Sequence, residues 1–166
     1  MPVDWTRLWR HLTTSVAVAH ARFPAERLAR IEQAIREVGT RHDGQLRFAV
    51  EPALDLRSLL AGQTARERAV EVYSQLRVWD TEHNNGVLIY LLLADRDVEI
   101  VADRGVHARV GREGWEAVCR TMEAEFLASR FEEGSLAGVR AVGALLSTHY
   151  PRAGGGAAPA DRPVPR

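Results

Sequence analysis

One cysteine, Cys119, stands in 166 residues, so no intramolecular disulfide is available. It lies in Trp115-Glu-Ala-Val-Cys119-Arg-Thr-Met122, where apolar residues recur at helical spacing, and reads as a small buried hydrophobe rather than a nucleophile. Charge of either sign is not in excess: Lys+Arg and Asp+Glu both number 22, which removes the electrostatic case for nucleic acid or an acidic membrane as a bulk partner. Long apolar runs are also missing. The longest, Val87 to Ala94, is far too short to span a bilayer, and the N-terminus lacks the continuous apolar stretch and cleavage site of a signal peptide. These absences predict a cytoplasmic chain with no transmembrane segment. No P-loop, dinucleotide glycine motif, Cys/His zinc signature or nucleophile elbow occurs, and there is no internal repeat.

What is present suits one domain. Hydrophobic residues make up 46% and charged residues 27%, and this length buries a core without metal or disulfide. Residues 1–22 form an N-terminal helical arm, 23–150 the α/β domain and 151–166 a Gly-, Ala- and Pro-rich disordered tail. In the arm, Trp5, Leu8, Trp9 and Leu12 share one face of a helix over Pro2 to Leu12, which predicts packing on the domain or, alternatively, peripheral contact with a membrane or a partner. Pro24 suits the first turn of a helix striped by Leu28, Ile31, Ile35 and Val38 and stopped at Gly39. Gln45 to Glu51 alternates as a strand with one buried face and ends at Pro52. Thr64-Ala-Arg-Glu67 is a capping box opening a helix to about Arg77. The run from Val87 reads as a central strand buried on both faces, paired through Ala94-Asp95-Arg96 with Asp97 to Ala102 as a hairpin. Helices over Glu113 to Ser129 and Glu133 to Tyr150 follow. The predicted fold is a three-layer α/β/α sandwich. Its small mixed sheet combines a strand–helix–strand crossover between parallel strands with the hairpin, flanked by helices.

That topology brings polar loops to one end of the sheet. Antiparallel pairing puts the start of the first hairpin strand beside the end of the second. Asp80, Glu82, His83, Asn84, Asn85 and Gly86 therefore approach Asp103, Arg104 and His107, with His42 and Asp43 at the same end. Asp80, Glu82 and Asp103 are candidate ligands for Ca²⁺ or Mg²⁺, which prefer oxygen donors. Arg104 offers two N–H groups to a phosphate. Glu82, His83, Asn84, Asn85, Gly86 and His107 are candidate ligand-binding residues. If the site is catalytic, Asp80, Asp103 and Arg104 are its machinery, as in a phosphohydrolase with a metal or Arg104 neutralising the phosphoryl oxygens. The competing reading is structural: Asn84, Asn85 and Gly86 hold tight-turn backbone, and Asp80 bonds its own loop.

The segment Asn85-Gly86-Val87-Leu88-Ile89 resembles the Asp-Asn-Gly-Val-Leu strand start of the TPM-domain family, which includes thylakoid-lumen acid-phosphatase-like proteins. Asp95-Arg96-Asp97 before a Val-Glu-Ile-Val strand, the exit at Gly105, and Phe126-x-x-x-x-Phe131-Glu-x-Gly134 before an Ala/Val/Leu-rich helix follow in the family's order. The resemblance runs from about Leu76 to Tyr150. It implies an α/β/α sandwich and a short soluble branch of the family. For members of the family it implies photosystem repair, acid phosphatase activity in some and calcium binding in some bacterial ones. Three departures touch the calcium ligands. Asn84 replaces the family's Asp, a Gly-x-Gly is reduced to Arg104-Gly105, and the next expected acid falls at Arg112 or Glu113. With this acidic set eroded, the leading expectation is an accessory or binding module for a protein partner or small ligand, and the alternative a metal-dependent phosphatase.

Overall fold

The computed structural model describes residues 4–153 and 164–165. Helices α1 (Trp5–Thr13), α2 (Val16–Arg22) and α3 (Ala25–Gly39) lead into strand β1 (Gln45–Glu51). Then come α4 (Leu56–Leu60), α5 (Ala65–Gln75), β2 (Gly86–Leu92) and β3 (Asp97–Ala102), and finally α6 (Arg104–Leu127), α7 (Phe131–His149) and the two-residue β4 (Val164–Pro165). The sheet order is β3-β2-β1-β4, with β1 parallel to β2 and to β4, and β2 antiparallel to β3.

The sheet separates two apolar clusters, and β2 divides its side chains between them. Val87, Ile89, Leu91 and Leu93 join α3, α6 and α7 on one face, through Ile31, Val38, Trp115, Met122, Phe126, Val139 and Leu146. Leu88, Tyr90 and Leu92 join Ala69, Val72 and Tyr73 of α5 on the other. This is the three-layer sandwich expected from the apolar run. The second face of β1 departs from expectation, because Ala49 and Glu51 are buried too. Glu51 tolerates burial because it is paired: Arg68 donates to it through Nε (2.9 Å) and Nη2 (2.7 Å), and the Tyr90 hydroxyl donates as well. Close helix packing explains two glycines of α7: a Cβ at Gly138 would sit 2.2 Å from Met122 Sδ, and one at Gly143 would sit 2.5 Å from Val38 Cβ.

Four elements were not legible as such. The short α2 and α4 are capped by Ser15 and Asp55, whose side chains accept from Val18 and Ser58 N–H. The helix expected from Glu113 begins at Arg104 instead, capped by Asp103 and bent at Gly111, whose φ is +75°. Of the expected disordered tail, Pro151 bridges to His42, Arg152 N–H donates to the Arg41 carbonyl (3.1 Å) and β4 lines β1, while residues 154–163 and 166 lie outside the described residues.

The arm docks with the opposite polarity from the one its pattern suggests. The first helix runs over Trp5–Thr13 with Asp4 as its N-cap, Pro2 lying outside the described residues, and its Trp5 (74%), Trp9 (68%) and Leu12 (61%) are exposed. The face turned to the domain is polar. Arg7 donates through Nε to Asp95 Oδ2 (3.0 Å) and through Nη2 to the Gln63 carbonyl (2.9 Å). Arg10 Nη2 reaches Asp95 Oδ1 at 3.1 Å. The buried His11 accepts at Nδ1 from Leu54 N–H (3.0 Å), with Nε2 3.1 Å from Asp95. The hairpin turn and the residue before α4 present a carboxylate and an amide N–H that need partners, and this decides which face of the helix is buried.

Candidate functional site

The loop between α5 and β2 is held by its own backbone and by the start of β1. Asn84 sits at φ +49°, a left-handed conformation that Asn tolerates. Asn85 is buried and structural: its N–H donates to Thr81 Oγ1 (3.1 Å), its side-chain amide to the Asp43 carbonyl (3.3 Å), and its own carbonyl accepts from Gln45 N–H (3.3 Å). Gly86 is required for space rather than for an unusual dihedral. A Cβ there would stand 1.9 Å from the Val78 carbonyl oxygen. Of the three residues read as holding tight-turn dihedrals, Asn84 alone has positive φ; Asn85 serves by hydrogen bonding and Gly86 by leaving space.

Against this loop packs the start of α6. Val106 N–H donates to the Asn84 carbonyl (3.2 Å) and Asp103 N–H to the Gly86 carbonyl (2.8 Å). Gly105 makes the approach possible, since a Cβ would lie 2.6 Å from the Asn84 carbonyl oxygen and 3.1 Å from the Tyr150 hydroxyl. The junction leaves an open bowl of about 620 Å³ lined by His83, Asn84, Arg104, Gly105, Arg109 and Tyr150. Arg109 is positioned twice, donating to the His149 carbonyl (2.7 Å) and lying 4.6 Å over the Tyr150 ring. The Arg104 guanidinium makes no ion pair or side-chain hydrogen bond among the described residues.

Of the residues singled out from sequence, His83, Asn84 and Arg104 line the bowl. Asp80, Glu82 and His107 are exposed and lie outside its lining, His107 lining a second cleft instead. Asp103 turns inward: its Oδ1 caps Arg104 N–H at 2.9 Å, while its Oδ2 and the Tyr73 hydroxyl are buried without hydrogen-bond partners among the described residues. Burial, with Asp103 nearby, pushes the Tyr73 hydroxyl pKa up. Among the described residues, no three His, Cys, Asp or Glu side chains are grouped to hold a metal ion. Asp80, Glu82 and Asp103 are thus not gathered into a ligand set, and the bowl presents cations where Ca²⁺ or Mg²⁺ needs carboxylates. The donor set present does not fit a divalent cation. Arg109 and Tyr150 were missed from sequence. Reading 103–112 as a capped helix would have put Arg109 on the face of Gly105, four residues on.

Two other groups near the site are chemically quiet. His42 is buried beside the loop end with neither ring nitrogen partnered among the described residues. Cys119 lies in the second cleft, of about 490 Å³, between β3 and α6 with Asp97, Glu99 and Glu123. Burial first, and then those carboxylates, push its thiol up to about 12. A thiol so disposed is a poor nucleophile at neutral pH.

The TPM domain matches residues 19–145 of the chain. The chain resembles the BA42 protein of the psychrophilic bacterium Bizionia argentinensis at 26% identity, with a TM-score of 0.67 over 76% of this chain and 83% of that one. It also resembles the N-terminal domain of a protein from P. gingivalis at 17% identity, with a TM-score of 0.63 over 78% of this chain and 82% of that one. No curated protein matches.

Proposed function

The chain belongs to the TPM-domain family, and on that premise we propose that it is a binding module whose loop end takes a small anionic group, a phosphate or a carboxylate. One observation carries the reading: among the described residues the bowl is lined by Arg104, Arg109, His83 and Tyr150 and by no carboxylate. Arg109 is held in place by the end of α7, so ordering it costs little on binding. Arg104 is exposed and uncommitted, able to close on an anion through two N–H groups. Tyr150 supplies a hydroxyl. The group so bound would be the charged end of a larger ligand or an acidic side chain of a protein partner, because the bowl is open rather than enclosing.

The test is titration of the full chain with inorganic phosphate and with phosphoserine, followed by amide NMR shifts. Saturable shifts at residues 83–84 and 104–109 that vanish in Arg104→Ala support the reading. Shifts that persist in Arg104→Ala, or none at high ligand concentration, would refute it. Turnover of p-nitrophenyl phosphate that is lost in both Arg104→Ala and Asp103→Asn would instead favour a phosphohydrolase.

A further inference from the structure

The second cleft, of about 490 Å³, runs along β3 at the edge of the sheet, between that strand and α6, and shares no lining residue with the bowl. Its size suits a small organic ligand. Its two arginines are committed: Arg66 pairs with Glu99 (3.2 Å) and donates to the Ile100 carbonyl (2.5 Å), and Arg112 pairs with Glu116 (2.5 Å). His107 is exposed. Asp97 and Glu123 are half-buried and make no ion pair among the described residues. Both carboxylates approach the Val98 N–H, which brings them together. Burial first, and then Asp95 for Asp97 and Asp97 for Glu123, raises both, so a cation arriving here relieves a repulsion that the fold leaves in place.

A second observation is independent of charge. Trp115 forms part of the wall and is 5% exposed, yet its indole N–H has no hydrogen-bond partner among the described residues. A buried donor without an acceptor is unusual in a native fold. An ammonium has no lone pair to offer it, so a ligand that satisfies this wall carries an oxygen as well as a charge. Among the described residues no three His, Cys, Asp or Glu side chains group to hold a metal ion, and Val98, Ile100 and Trp115 give the cleft apolar walls. Both features select an organic cation over a metal. We propose that the cleft binds a small primary amine with a neighbouring hydroxyl or carbonyl oxygen, its ammonium on Asp97 and Glu123 and its oxygen on the Trp115 indole N–H. Amino sugars and amino acid amides share that chemistry.

The test is NMR titration of the full chain at about pH 6.5, where such amines are protonated, with glucosamine and, separately, with leucinamide. Saturable shifts at residues 97–99 and at the Trp115 indole N–H, identified by its loss in Trp115→Phe, are expected with one or both; which amine binds tells a hydroxyl from a carbonyl partner. Asp97→Asn/Glu123→Gln should bind at least about tenfold more weakly, while Glu26→Gln, at an exposed carboxylate of α3, should bind as the wild type does. N-acetylglucosamine has the oxygens without the charge, and ethylamine the charge without the oxygen; each should bind at least about tenfold more weakly than the better amine. Equal binding of either control, undiminished binding in the Asp97/Glu123 variant, equal loss in Glu26→Gln, an unmoved indole N–H, no saturable shift with either amine, or tighter binding of Ca²⁺ at the same residues would each overturn the proposal.

Discussion

His42 should make this domain lose stability as the pH falls through the histidine range. The side chain is 1% exposed, and neither ring nitrogen has a hydrogen-bond partner among the described residues. It sits where residues 150–152 close over the start of β1. Asp43 N–H donates to the Tyr150 carbonyl (3.0 Å), Arg152 N–H to the Arg41 carbonyl (3.1 Å), and Arg152 Nε lies 3.2 Å from Asp43 Oδ1. Burial holds the His42 pKa below its ordinary 6.5, and Arg152 adds to this, while the Gly44 backbone and Asp43 pull the other way. The unfolded chain therefore binds a proton that the native state refuses. The stability contributed by neutral His42 is complete above the unfolded value and is lost as pH falls from about 6.5 toward the lowered native value, at up to about 1.4 kcal/mol per pH unit. His11, lowered chiefly by burial against the opposing pull of Asp95 and lowered further by Arg7 and Arg10, has the same sign, so it adds to the wild-type slope.

His42→Leu keeps a similar volume and leaves no orphaned nitrogen, so it should be close to neutral at pH 8 and flatten the slope by His42's share. Urea unfolding followed by circular dichroism between about pH 5.5 and 8 measures both quantities. The lower bound matters because Asp97, Glu99 and Glu123 are raised by burial. Raised carboxylates add stability as pH falls through their native values and would mask the histidine loss in stronger acid. Parallel stability curves for the wild type and His42→Leu would refute the reasoning.

Two further outcomes follow from buried charge. Arg68→Ala strands the Glu51 carboxylate in the interior and should cost about 3 kcal/mol, roughly a 10 °C lower melting temperature by calorimetry for a chain of this size. The double change Glu51→Leu/Arg68→Met should recover most of it, and a loss under about 1 kcal/mol in the single variant would show the pair to be dispensable. Cys119 should react with a thiol-specific disulfide reagent at pH 8 roughly a thousandfold more slowly than an unperturbed thiol, with normal rates restored in urea; a native rate within tenfold of free cysteine would contradict its burial.

The sheet and long helices were readable because their signals are periodic and local. The alternation over Leu46, Phe48 and Val50, the unbroken run from Val87, and the capping box at Thr64 each correspond to an observed element. What the pattern could not carry was orientation. The apolar face of α1 looked like the buried one, but the distant Asp95 and Leu54 amide select the polar face. Half of the bowl was legible, in His83, Asn84 and Arg104. Arg109 and Tyr150 were not, because Gly105 and Gly111 make a helix start look like a loop, and Tyr150 arrives from the far end of α7. Carboxylates in loops suggested a metal, yet Asp103 points into the fold and Asp80 and Glu82 point out of it.

Because β2 serves two interiors at once, its position along its neighbours is discrete. A shift of one residue would exchange Ile89 and Leu91 with Leu88 and Tyr90 between the two layers, placing the Tyr90 hydroxyl among the aliphatic side chains of α3 and α7 and depriving Glu51 of its donor. Gly86 enforces the same choice sterically, since the neighbouring residue, Val87 or Asn85, cannot occupy a place where a Cβ meets a carbonyl at 1.9 Å. The strand that delivers the loop to the bowl thus has one indexed setting, and the cations at its mouth inherit that indexing.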